Sequence, residues 1–240
     1  MAGLVGLISH PYRLIRVFPG EVEYLLVPRA HTKLARKGSW VLDGDWDRCF
    51  SDESLVYLGS NEGFRDFCLI DFENFVFFNS LVERFVGGVE WEDTEFYRKV
   101  VTLDISCSRY TSVDRINDQL ERLDRLYFDI RDNGYKTQAE LQMNGGGPFE
   151  PVSNRRFPEL GEVIVNVGRD GEVLFNTGRH RFCIARVLGL EIPVRVFLRH
   201  KCWQDVRREV FLARDVDCLS DRAFKYLEHP DVRYLHDFFD

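Results

Sequence analysis

Apolar positions along this chain keep two rhythms, and the sharpest change between them falls within residues 161–203. Glu162-Val-Ile-Val-Asn-Val-Gly168 is an apolar run that predicts a strand. Arg169-Asp-Gly171 supplies hairpin turn chemistry, and Val173-Leu-Phe175 starts a second strand. After Gly178 the spacing becomes helical, with Ile184, Val187 and Leu188 at core positions. Gly189 stops that helix, and Ile192-Pro-Val-Arg-Val-Phe-Leu198 returns as a strand.

Elsewhere the pattern is mostly helical. Residues 73–86 predict a helix with apolar positions at 72, 75, 76, 82, 85 and 86, closed by Gly87-Gly88. Residues 91–100 predict a second helix capped by Thr94, and 114–133 a longer one. The long helix buries Ile116, Leu120, Leu123, Leu126, Tyr127 and Ile130, with Gly134 as its C-terminal stop. Two amphipathic helices are expected at 203–213 and 221–228, followed by an aromatic tail that packs. The first thirty residues read as short strands and loops, of which residues 21–27 form the clearest strand.

The helix that follows Gly178 opens unusually. A helix N-terminus carries partial positive charge and favours Asp or Glu. This one opens with Arg179, His180 and Arg181 and has no carboxylate in its first turn. Each like-sign side chain there costs about 0.3–1 kcal/mol when exposed. An anion on the free N–H groups would reverse that cost, and Gly178 would let it approach the backbone. A phosphate cradle is the expectation, with Thr177, Gly178, Arg179, His180 and Arg181 around it. The alternative is that the arginines turn away to surface carboxylates. Asn166, a polar residue among valines, needs a partner and is expected to bond a neighbouring loop or the ligand. Arg186 lies two turns after Arg179 on the same side, with a surface role or a second phosphate as its readings.

Strand, hairpin, Gly-Arg-His-Arg, helix and Leu-Gly-Leu-Glu-Ile-Pro-Val-Arg-Val together resemble the ParB/sulfiredoxin-like superfamily. Leu123-x2-Leu126-x3-Ile130-x3-Gly134-Tyr-Lys-Thr-Gln138 is similar to the helix and turn that precede the first strand in ParB. The resemblance spans roughly residues 114–203. It implies a nucleotide or other phosphate held at the helix start, with NTP, Mg²⁺, NTP hydrolysis or phosphoryl transfer as the associated chemistry. It also admits a second class, a nucleic-acid-binding or nucleolytic protein of a partition system or mobile element. The sulfiredoxin activity itself is not expected, because His180 stands where that activity has a cysteine. No catalytic residue is assigned. Glu140 and Glu162 are the carboxylates that flank the relevant strand.

Composition narrows this further. The chain has 240 residues, 45% hydrophobic and 30% charged, enough to bury a sizeable core. A net charge of −7 removes any global basic footprint for DNA, although twenty-six of the 32 basic residues are arginine. Six cysteines show neither paired nor zinc-ligand spacing, so buried structural thiols and no metal are expected. The N-terminus lacks a basic region before Pro11, and residues 69–86 carry Asp71, Glu73 and Glu83. Neither signal peptide nor membrane span is expected, and the cytoplasm is the default.

Two further stretches invite chemistry. His31, Lys33, Arg36 and Lys37 form a basic patch, read as a solvated turn ahead of a phosphate contact. Asp43-Gly-Asp-Trp-Asp47 could offer oxygen ligands, but lacks calcium-loop spacing and reads as a turn that anchors Trp46. Asn144-Gly-Gly-Gly-Pro148 is a flexible insertion.

The expected fold is α/β, more strictly α+β, with a small mixed sheet and surrounding helices. Residues 1–110 form an N-terminal accessory region, 111–205 the ParB/sulfiredoxin-like core, and 206–240 a helical extension packed on it.

Overall fold

In the computed structural model, which describes residues 12–28, 40–56, 66–102, 112–143 and 156–235, eight strands form one mixed sheet. They are β1 (Leu14–Val17), β2 (Tyr24–Val27), β3 (Trp40–Leu42), β4 (Phe50–Ser51), β5 (Cys68–Asp71), β6 (Val163–Val167), β7 (Val173–Thr177) and β8 (Ile192–His200). The order across the sheet is β1-β8-β6-β7-β2-β5-β4, with β3 also paired to β8. β6 is central and buried at all five positions. That is why Val163, Ile164 and Val165 run without polar alternation: a strand covered on both faces has no wet side.

Around the sheet lie the helices α1 (Val76–Phe85), α2 (Glu95–Thr102), α3 (Val113–Asn133), α4 (Gln138–Met143), α5 (Arg179–Val187), α6 (Lys201–Leu212) and α7 (Asp221–Lys225). The fold is therefore α+β, as the sequence pattern implies. β6 runs antiparallel to β7 and parallel to β8, and α5 connects the last two.

One face of the sheet meets the helices. Val163, Val165, Val167 and Phe175 join Phe72, Phe77, Phe182 and Ile184 in a single large cluster. Phe72 stacks on Phe182 at 5.7 Å, and Phe175 lies 4.4 Å from Phe182. Each such buried aromatic contributes about 1.5–3 kcal/mol of transfer free energy. The opposite face carries a smaller cluster of Leu26, Trp46, Leu69, Ile164, Leu174, Phe197 and Leu198.

Several boundaries differ from the sequence reading. Phe72–Asn74 is a 3-10 turn, and α1 begins only at Val76. Its buried face is Val76, Phe77, Ser80 and Leu81, whereas Val82 and Val86 are exposed. The register shifted because the preceding turn takes up Phe72 and Phe75 before helical geometry starts. Pro19–Glu21 is likewise a 3-10 turn, which shortens the strand expected at 21–27 to β2. Thr94 does accept a hydrogen bond from the Tyr97 N–H, at 3.3 Å. The long helix buries the six residues expected of it.

The sheet is larger than the small one expected, because strands from before residue 110 complete it. β1 and β3 pair with successive parts of β8, and β2 lies beside β7. The division drawn at 205 falls inside α6. Of the cysteines read as buried, Cys68 and Cys183 are buried while Cys49 and Cys218 are exposed. The basic patch at 31–37 and the insertion at 144–148 lie outside the described residues.

Two buried ionic clasps fasten the periphery. Asp231 is fully buried, and both its oxygens accept from Arg199, at 2.6 and 2.8 Å. Trp203 Nε1 donates to the same carboxylate at 2.9 Å, and Arg207 Nε donates to the Asp231 carbonyl at 2.8 Å. This knot docks the segment around Asp231 on β8 and α6. In the second clasp, Arg169 holds Asp47 at 2.6 Å and Asp45 at 2.8 Å. The 43–47 stretch is thus the turn expected of it, with Trp46 only 8% exposed.

Candidate functional site

The start of α5 is placed by a backbone conformation that only glycine adopts readily. Gly178 has φ +93°, and a Cβ there would lie 3.0 Å from Val163 Cα on β6. The glycine is therefore needed first for the tight β7–α5 turn against the central strand. Among the described residues no side chain caps this helix start, and no acidic residue lies in its first turn. Local sequence thus leaves the positive end of the helix without a counter-charge.

Tertiary structure supplies one from a neighbouring strand. Glu162, just before β6, is 4% exposed, and its Oε2 lies 2.9 Å from Arg181 Nη1. Arg181 Nη2 also donates to the Gly161 carbonyl at 2.6 Å. The other Glu162 oxygen accepts the Gln138 backbone N–H at 2.5 Å, at the first residue of α4. Burial pushes the Glu162 pKa above its ordinary value, although Arg181 and the Gln138 N–H oppose the rise. One carboxylate so joins the α3–α4 turn, the start of β6 and the first turn of α5.

Around that junction lie polar groups for which the described residues offer no partner. Gln138 is 6% exposed, and its Oε1 is buried without a hydrogen-bond partner. Gln142 Nε2, one helical turn further along α4, is in the same condition. The Tyr135 hydroxyl is buried and makes no well-formed hydrogen bond, while the Arg181 guanidinium sits 5.5 Å over its ring. Burial raises the pKa of that hydroxyl, with Arg181 acting in the opposite sense. An unsatisfied buried polar atom costs about 1–3 kcal/mol, so several together mark a place built for more than packing.

The expected cradle residues divide. Gly178 and Arg181 adjoin this junction. Arg179 is 7% exposed, with its guanidinium 5.3 Å over the Phe77 ring, and His180 packs 5.5 Å from the same ring. Thr177 ends β7 opposite Ile164.

Asn166 is not part of the cradle. It pairs with Leu174 across β6 and β7, on the sheet face of Ile164 and Leu174 rather than that of α5. Its Oδ1 accepts from Asn176 Nδ2 at 3.1 Å, both residues being 0% exposed. Asn176 is the extra residue of a bulge in β7, since Thr177 pairs with Ile164 and Phe175 with Val165. The pairing across β6 and β7 that brings these two amides together is not visible in the sequence.

Other candidates have structural work. Arg186 donates to the Val22 carbonyl at 2.7 Å and to the Pro19 carbonyl, with its guanidinium 4.6 Å over Phe72. It ties the 3-10 turn to α5 rather than standing free on the surface. Glu140 caps its own helix by accepting from the Thr137 N–H and hydroxyl, each at 2.7 Å. Among the described residues no group of three His, Cys, Asp or Glu could hold a metal ion, and no helix is long and apolar enough to cross a membrane.

Tyr135 and Gln142 escaped the sequence reading. Tyr135 falls inside the Gly134-Tyr-Lys-Thr-Gln138 stretch and could have been singled out there. Gln142 carries a weaker signal, its four-residue spacing from Gln138 on a helix. Comparison with protein families, with curated proteins and with solved structures finds no match for this chain.

Proposed function

We propose that this protein binds a nucleotide, or another phosphate-bearing ligand, where the first turn of α5 meets the α3–α4 turn. The observation that carries the reading is Gln138: 6% exposed, its side-chain oxygen without a partner among the described residues, its backbone held by the carboxylate that holds Arg181. An uncapped helix start beside it offers N–H groups and dipole to a phosphate. The Gln138 and Gln142 amides would then read the ligand's polar edge.

Within this reading Arg181 is positioned rather than waiting free. Glu162 holds one nitrogen of its planar fork, so the guanidinium keeps a fixed direction and has donors left for phosphate oxygens. Gly178 keeps the backbone turn accessible. Binding is the proposed activity. Hydrolysis or transfer would need a carboxylate facing the reacting phosphate, and Glu162 is the one at hand. It would be released for that role only when the ligand takes Arg181 from it.

A thermal-shift panel of ATP, GTP, CTP, UTP, the diphosphates and tripolyphosphate, each with Mg²⁺, tests the proposal. A ligand at a hundred times its Kd stabilises by about 2.7 kcal/mol. For a chain of this size that is a Tm rise of about 5–10 °C. The rise should shrink strongly in Gln138→Ala. No movement with any of them at millimolar concentration would falsify the proposal. Binding to DNA with a steep salt dependence and no response to nucleotide would favour the nucleic-acid class instead.

A further inference from the structure

Cys49 and Cys68 stand side by side at the edge of the sheet, far along it from α5. β4 pairs in parallel with β5 in the register Phe50 to Leu69, which brings Cys49 opposite Cys68 one step earlier. The Leu69 N–H donates to the Cys49 carbonyl at 2.6 Å, which fixes that step. Neighbouring strands lie about 4.8 Å apart, inside the Cα separation of about 4.4–6.8 Å that a disulfide needs. Cys49 is exposed and Cys68 is buried.

We propose that Cys49 and Cys68 form a reversible redox pair, with Cys49 as the thiol that meets the oxidant and Cys68 as the thiol that resolves it.

With a small disulfide such as oxidised glutathione, the Cys49 thiolate attacks one sulfur and expels the first glutathione thiolate. The Cys68 sulfur then attacks Cys49 Sγ in the mixed disulfide and expels the second. The protons of both cysteines end on the two glutathiones, so two protein thiols are oxidised and one disulfide is reduced to two thiols. Burial and the neighbouring Cys49 push the Cys68 pKa up to about 11, which suits the order of attack. Cys68 stays protonated, with Sγ 3.6 Å from the Leu69 carbonyl oxygen, until a sulfur is presented to it. The product staples β4, the outermost strand on this side, to β5.

The test treats the full chain with oxidised glutathione, blocks the remaining thiols with N-ethylmaleimide and maps peptides without reduction. The expected product is a Cys49–Cys68 linked peptide lighter than the two free peptides by two hydrogens, and dithiothreitol removes it. In Cys49→Ser no link to Cys68 forms. The exposed position of Cys49 makes that variant safe for folding, and Cys68→Ala is the reciprocal check. Capping of Cys49 by glutathione with Cys68 still free overturns the proposal. So does a link from Cys49 to any other cysteine, or a chain whose thiols at 49 and 68 both remain alkylatable.

Discussion

Arg181 Nη1 lies 2.9 Å from Glu162 Oε2, and the Glu162 side chain is 1% exposed. A cation at the positive end of a helix is here held by a carboxylate from the neighbouring strand rather than by its own turn. Removing Arg181 leaves that carboxylate buried with the Gln138 N–H but without its cation, which costs about 3 kcal/mol or more. The Glu162 pKa already lies above its ordinary value through burial, so its stabilising effect is full below that value and is lost as pH rises through the raised one. Arg181→Ala should therefore be destabilised by about 3 kcal/mol at pH 8, with the gap to wild type narrowing at pH 4. Urea unfolding at the two pH values measures it. An equal gap at both would mean that Glu162 is not the group left exposed to the loss.

Gly178 and Gly189 both have positive φ, but they differ in what surrounds them. A Cβ on Gly178 would meet Val163 backbone at 3.0 Å, while one on Gly189 meets nothing within 4 Å. Alanine at 189 should cost about 1 kcal/mol through backbone strain alone. Alanine at 178 should cost about 2–4 kcal/mol, since β6 must also move. Denaturant midpoints of the two variants give the comparison, and equal losses would show that the close approach to Val163 relaxes without cost.

For Asp231, burial alone would raise the pKa, but Arg199 and Arg207 outweigh it and hold the carboxyl well below its ordinary 3.8. A depressed carboxylate stabilises the fold above the unfolded value and loses that contribution as pH falls through the folded one. Asp231→Asn should cost about 3–5 kcal/mol at pH 7. The wild type should converge toward the variant below about pH 4. Acid titrations followed by tryptophan fluorescence suit this case, because Trp203 is bonded to Asp231. Parallel acid profiles for the two proteins would refute it.

Asp45 and Asp47 share Arg169 but not its surroundings. The Asp47 side chain is 2% exposed and that of Asp45 84%. Burial tends to raise the Asp47 pKa, and the Arg169 hydrogen bonds reverse it to a net lowering. Asp47→Ala should cost about 3 kcal/mol, because Arg169 loses its buried partner. Asp45→Ala should be close to neutral, as exposed pairs are. Thermal melts of both variants decide, and the Tm response to nucleotide should survive in each.

The sequence by itself determined α3, β6, β7, α5 and β8, though not α4 between α3 and β6. Their apolar spacing, the Arg169-Asp-Gly171 turn and the stops at Gly134 and Gly189 each act within a few residues, and α3, β6, β7, α5 and β8 formed where those signals put them. The missing carboxylate at the start of α5 was equally legible, because a helix dipole acts within one turn. Only the tertiary structure decided what answers it. Glu162 reaches Arg181 because β6 runs beside the β7–α5 turn, and Gln138 joins them through the same carboxylate. Asn166 went to the opposite face because side chains alternate along β6, and Asn176 met it there. Strands before residue 110 entered the same sheet, and Cys49 came to face Cys68. Pairing between strands is set by backbone hydrogen bonds that any residue but proline can make, so residue identity along the chain does not announce it.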